Sequence, residues 1–245
     1  MASRLSIARE QTYAMENGTI AEDIKIEQAK LARTDLLILQ FLIWWFSPPA
    51  ILKGWFGRGF AYHTGRKYDT GMFKGKFAMV AATTGTSEDT YAPDEIDGSI
   101  LAVLWPAHNG LFRYSGFDVL SPFVAYMPGR QDETGRALQL NSYRQRLETL
   151  ESTPKLFFHP AEDYCPNERL KPYVIARRPR MSDHEGRKMG NGYFRTDSGS
   201  SASSTFMPVC ICSVSTRASI LVPSSSLISA SITGTSSVKD GWLGR

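Results

Sequence analysis

A chain of 245 residues with 42% apolar content can bury one sizeable core, so one domain plus an extension is the simplest division. The net charge of +4 is spread along the chain apart from a basic cluster, Lys171 to Arg180, in which only Tyr173 could stack on a base; this describes a solvated basic surface better than a nucleic-acid site. Cys165, Cys210 and Cys212 form no C-x-x-C pair and have no histidine at metal spacing, which argues against a metal site and for reduced thiols in a cytoplasmic protein.

In chain order, residues 1–16 are polar and mixed and read as a loop or the end of an element. The opening has no apolar core of signal-peptide length. Asn17-Gly18 predicts a turn; Asn17-Gly18-Thr19 also fits a glycosylation acceptor, but without a secretory signal the turn is preferred. Thr19 and Glu22 have the spacing of a capping box ahead of Ile20, Ile24 and Leu31, which predicts a helix over Ile20 to Ala32.

The centre of the chain is Asp35 to Phe60, DLLILQFLIWWFSPPAILKGWFGRGF. Asp35 to Phe41 reads as a strand apolar on both faces, which belongs inside a parallel sheet covered by helices. The run Leu36 to Phe46 is too short to cross a bilayer and is interrupted by Gln40, so no membrane insertion is expected. Pro48 and Pro49 open a helix from Pro49 to about Phe56, with proline where a missing N–H costs nothing. The loop between, Leu42 to Ser47, carries Trp44, Trp45 and Phe46 at a carboxyl strand end, where such folds place ligands. These rings read equally well as ligand contacts and as core or dimer-interface residues.

Tyr62 to Phe73 is a glycine-bearing loop, and Lys76 to Thr83 predicts a second strand ending in Thr83-Thr84-Gly85-Thr86. Ile96 to Phe112 reads as a helix broken near Trp105-Pro106, with Gly110 and Gly116 leading to a third strand, Val119 to Tyr126. A last helix over Asp132 to Leu150 would place Ala137, Leu140, Tyr143, Leu147 and Leu150 on one face. Alternating strands and helices predict an α/β layered fold over residues 1–175. Residues 176–245 become serine-rich around short apolar patches such as MPVCICSV, without helical period or repeat, which predicts a disordered tail.

Three separated blocks, QFLIWWFSPPAILKGWFGRGFAY, ATTGTSEDTY and LWPAHNGLFRYSGFDVLSPFVAY, occur in the order and near spacing found in the NAD(P)H dehydrogenase (quinone) family. The chain resembles these flavodoxin-like quinone reductases from about Gln11 to about Pro172. The resemblance implies a flavodoxin-like doubly wound parallel sheet in three α/β/α layers. It also implies a homodimer that binds FAD, or FMN, and passes hydride from NAD(P)H to a quinone in a ping-pong cycle. By position, Ile43, Trp45 and Phe46 match the flavin-contacting loop, and Thr83, Thr84 and Gly85 the segment at the ring edge. Arg136 and Leu140 match positions near the adenine half, and Tyr62 and Tyr114 match aromatics of the substrate pocket.

Tyr91 matches a phenol that donates to the negative charge developing when hydride arrives. The family follows it, six residues on, with a histidine; here that position is Asp97, and a carboxylate opposes a second negative charge rather than stabilising it. Leu42 and Thr86 replace a proline and a glycine of the family pattern. No apolar strand or phosphate-cradling loop precedes Asp35, so the comparison implies that the first two strands are absent, that Asp35 to Phe41 is an open edge and that flavin is held by ring contacts alone. The same family includes ancillary subunits of glutathione-gated potassium efflux systems. That role and an inactive fragment are the competing readings.

Overall fold

The structure is a computed structural model, and it describes residues 6–60, 67–177, 209–213 and 227–231. Its centre is an all-parallel sheet. Strand β1 (Leu36–Leu42) pairs with β2 (Phe77–Thr84) in the register Leu36 with Phe77 through Leu42 with Thr83. Beyond β2 lie β3 (Asp118–Val119) and β4 (Phe123–Tyr126); on the other side of β1 lie β5 (Val209–Ser213) and then β6 (Leu227–Ser231).

Side chains on a strand alternate between faces, so β1 feeds two cores at once. Leu37, Leu39 and Phe41 join Leu52, Trp55, Phe56, Val80 and Phe112 in the larger cluster, while Leu36 and Ile38 join Met79, Ala81, Leu120 and Tyr143 in the smaller. Gln40 faces the second core, and Tyr143 satisfies it by donating its hydroxyl to Gln40 Oε1 at 3.1 Å. The flavodoxin-like architecture expected from the sequence is present.

Several local expectations change. Residues Ile7–Glu16 form a helix, α1, built from good helix formers. It stops at Asn17-Gly18, where Gly18 (φ 68°) donates to Met15 O and Thr19 N donates to Ala14 O at 2.8 Å. The N-cap position of the next helix falls on Ala21 and not on Thr19. Helix α2 (Glu22–Arg33) starts after Ala21 with no side-chain cap, so the capping box is not formed.

The helix α3 (Ala50–Gly59) runs three residues further than expected and ties to its neighbours through Trp55 Nε1 donating to Glu27 at 3.0 Å and an Arg58–Asp23 ion pair at 3.1 Å. The third strand is two pieces. Ser121 gives its N–H to Pro154 O at 2.8 Å and Pro122 has none to give, so pairing with β2 lapses between β3 and β4.

Two short helices, α4 (Ile100–Val103) and α5 (Trp105–Ala107), lead into a π-helical turn, His108–Arg113. The last helix, α6 (Glu133–Glu148), is capped by Asp132 accepting from Gly135 N at 2.7 Å. Only Tyr143, Leu147 and Leu150 of the expected stripe pack inward; Ala137 and Leu140 are exposed, and Gln139 takes the inward position, donating to Tyr126 O at 2.7 Å.

Nor is β1 an open edge, since Leu36 to Gln40 pair with Val209 to Ser213. Most of the serine-rich region lies outside the described residues; its two described segments, β5 and β6, extend the sheet. No helix among the described residues is long and apolar enough to cross a membrane.

Candidate functional site

At the carboxyl end of β1, Ile43 N still donates to Thr83 O at 2.9 Å, so the chain stays beside β2 for one more residue. It then reverses within two residues. Trp44 and Ser47 form an antiparallel bridge, each N–H donating to the other's carbonyl at 2.9 and 3.0 Å. Such a loop with φ above zero at both central positions is normally built from Asn and Gly. Here those positions are Trp45 (φ 49°) and Phe46 (φ 55°).

Holding a non-glycine residue there costs about 1–3 kcal/mol each. Burial within the chain does not offset it: Trp45 is 86% and Phe46 53% exposed. Replacing the pair by Asn-Gly is therefore expected to raise stability by about 2 kcal/mol, measured by urea unfolding. An unchanged or lower midpoint would mean that ring packing already offsets the strain.

The facing wall is the exit of β2. Thr84 is buried; its hydroxyl donates to Thr86 O at 2.7 Å and its carbonyl accepts from Met127 N at 3.1 Å, which curls Thr84 to Thr86 across the strand end. Among the described residues, its chain neighbours aside, no atom lies within 4 Å of where a Gly85 Cβ would stand, so that backbone faces open space. A 3₁₀ turn, Glu88–Tyr91, then brings the Tyr91 ring to 5.9 Å from Tyr126. Burial, then the nearby Glu88 and Tyr91, push the Tyr126 phenol up to about 12, so it stays a protonated donor at ordinary pH. Asp97 returns to the wall: its N–H donates to Thr90 O at 3.0 Å, and its Oδ2 accepts from Thr86 Oγ1 at 2.9 Å.

Between the walls is a cleft of about 340 Å³ lined by Ile43, Trp44, Trp45, Phe46, Gly85, Thr86, Tyr91 and Asp97. Six of the residues singled out in the sequence thus meet in one place: Ile43, Trp45, Phe46, Gly85, Tyr91 and Asp97. Thr83 and Thr84 are the last residues of β2, behind Gly85. Arg136 and Leu140 lie on the outer side of α6, where Arg136 donates to Gln131 O. Tyr114 does not line the cleft: it follows the π-helical turn and meets Tyr68 edge to face at 5.4 Å. Tyr62 lies outside the described residues.

Sequence reasoning passed over Thr86 and Tyr126 as site residues and named Trp44 only as one of the three rings of the loop. Thr86 was visible only as a departure from a glycine, and Tyr126 only as the end of a strand. Among the described residues no group of three His, Cys, Asp or Glu side chains could hold a metal ion.

Comparison with known proteins agrees with the fold. The family profile described as a flavodoxin-like fold matches residues 2–147. NAD(P)H dehydrogenase [quinone] 1 of Rattus norvegicus is 39% identical over 156 residues, covering 62% of this chain and 57% of that protein. Ribosyldihydronicotinamide dehydrogenase [quinone] of Homo sapiens is 38% identical over 141 residues, covering 56% of this chain and 61% of that protein. The chain thus spans somewhat more than half the length of these curated relatives. A crystal structure from Klebsiella pneumoniae, described provisionally as a quinone reductase, superposes with a TM-score of 0.65 at 35% identity, covering 70% of this chain and 72% of that one. The chain therefore belongs to the flavodoxin-like fold family and is a relative of the NAD(P)H dehydrogenases (quinone).

Proposed function

We propose that the chain is a flavin-dependent NAD(P)H:quinone oxidoreductase of the cytoplasm, working as a homodimer whose catalytic domain is residues 1–175. The observation that carries this reading is the strained, exposed Trp45-Phe46 turn set across an open strand exit, in a chain related to enzymes that bear that activity in their names. The residues fit one part of a flavin, the flat ring system: aromatic walls on one side, the unobstructed Gly85 backbone on the other, and a cleft of about 340 Å³ between them. FAD and FMN share that ring, and the cleft does not distinguish them.

When bound, a flavin supplies a ring that accepts hydride from NAD(P)H and returns two electrons to a quinone. The chain's own part is to bind and orient. Ile43, Trp45 and Phe46 hold a ring by stacking and exclude water from its face. Thr83, Thr84 and Gly85 bring backbone up to its edge, where the absence of a Cβ at Gly85 allows close approach. Tyr91 offers a phenol to charge that develops at that edge, and Asp97 beside it works against the same charge. Arg136, Leu140 and Tyr114, which stand apart from the cleft, are read as contacts to more distant parts of cofactor and substrate, as is Tyr62.

The test is to purify the full chain, reconstitute it with FAD or FMN, and measure bound flavin together with NADH- and NADPH-dependent reduction of a small quinone. A folded chain that takes up neither flavin would overturn the assignment of the cleft. Within this reading, Asp97→His is expected to speed the reductive half-reaction by about tenfold, less than the roughly hundred- to thousandfold that a preorganised donor to developing charge commonly contributes. Stopped-flow reduction no faster than in the parent would show that Asp97 does not limit the step.

A further inference from the structure

We propose that the cleft selects rings by charge, taking flat aromatic molecules that are cationic or present N–H donors and disfavouring anionic ones, with Asp97 as the residue that sets the preference. This rests on the cleft being the ring-binding site of the function proposed above, and it adds the class of ring that the site accepts.

Among the described residues eight line the cleft, and of these only Asp97 carries a formal charge and none is Lys, Arg or His. Four of the eight are aromatic, and an aromatic face attracts a cation through its quadrupole. Asp97 is fixed at two points: Thr86 Oγ1 donates to its carboxylate Oδ2, and its backbone N–H donates to Thr90 O. One hydroxyl leaves most of a carboxylate's acceptor capacity unused, and none of the ion pairs among the described residues involves Asp97. A ligand that brings a positive charge or an N–H meets an acceptor already aimed.

The surroundings have the same sign. From Glu88 to Asp97 the chain holds Glu88, Asp89, Asp94, Glu95 and Asp97 and no basic residue, although the whole chain carries +4. Glu88 is also one of the groups that raise the Tyr126 phenol, so its field reaches the inner end of this wall. A cleft bordered by one sign of charge concentrates ligands of the opposite sign.

The experiment uses three bicyclic probes of matched size on the full, flavin-free chain: N-methylquinolinium, quinoline and 2-naphthoate, titrated by calorimetry at pH 7.5 and low salt. N-methylquinolinium should bind about tenfold more tightly than quinoline, and 2-naphthoate more weakly than either. Asp97→Asn, which keeps the shape and a hydrogen bond to Thr86, should remove most of the cation's advantage over quinoline. Thr86→Val should reduce the cation's advantage in part, by freeing the carboxylate to turn away. Equal affinities for the three probes, or a cation preference that survives undiminished in Asp97→Asn, would overturn the inference and leave the cleft a ring site. Binding of none of them would overturn the ring site itself, and a dimer whose Trp45 is shielded from an added quencher would then identify a second copy of the chain as the occupant.

Discussion

Acidification from pH 7 to pH 5 is expected to destabilise the fold by about 2 kcal/mol through His108 alone. His108 opens the π-helical turn, is 1% exposed, and its Nε2 has no hydrogen-bond partner among the described residues. Burial holds its ionisation down to about 3. Below about 6.5 the unfolded chain binds a proton at this histidine and the folded chain does not, so each further pH unit favours unfolding by about 1.4 kcal/mol. The penalty is absent above about pH 7, grows as pH falls, and levels off once the folded histidine itself takes up a proton near pH 3. His108→Met removes the titrating group at similar volume. The difference in unfolding free energy between parent and variant should widen by about 2 kcal/mol from pH 7 to pH 5. Parallel pH profiles would show that His108 reaches water or a partner as readily in the fold as outside it.

Gly71→Ala should cost at least about 3 kcal/mol, at the severe end of single substitutions. A Cβ on Gly71 would stand 2.5 Å from Gly116 Cα and Gly116 N, and these are backbone atoms that cannot swing aside. The reciprocal contact is nearly as close: a Cβ on Gly116, itself at φ 98°, would lie 2.7 Å from Gly71 Cα. The two bare backbones meet so that Phe73 and Phe117, just beyond them, can stack at 4.3 Å with 18° between planes, and Phe73 N can donate to Ser115 O at 3.1 Å. Gly57→Ala is the control. Among the described residues outside its own helix backbone nothing lies within 4 Å of its Cβ position on α3, and alanine is the better helix former, so that variant should be neutral or slightly stabilised. Melting temperatures would separate the two by roughly 6–12 °C. Equal temperatures would mean that the Gly71–Gly116 approach relaxes without loss.

How legible each element was follows from where its information lies. β1 and β2 were readable to within a residue because a strand buried on both faces writes its burial into the sequence as an unbroken apolar run. The inward face of α6 was misread at Ala137 and Leu140, since its first half meets the strand end through Gln139, a polar residue that an apolar stripe cannot reveal. β5 was noticed only as the patch MPVCICSV. Five residues that pair in parallel with a strand far away carry no local signature beyond being apolar, and the serine around them reads as tail.

The site was legible in its parts and not in its strain. Nothing local says that Trp45 and Phe46 occupy positions that favour Asn and Gly; that follows from Trp44 and Ser47 being paired. The Thr86–Asp97 hydrogen bond joins two residues that each looked like a departure from a pattern, and only their meeting gives either one a role.

The pairing of β1 with strands on both sides has a consequence in time. Its partner β2 begins about 40 positions further on, whereas the partner of Leu36 on the other side is Val209, roughly 170 positions away. A ribosome adding about 5–20 residues per second leaves an interval of roughly six to twenty-five seconds in which half of the sheet exists and β5 does not. During that interval the far side of β1, a strand apolar at six of its seven positions, offers its N–H and C=O groups to any neighbouring nascent chain. The arrangement that buries β1 most completely in the finished protein is thus the one that exposes it longest while the protein is being made.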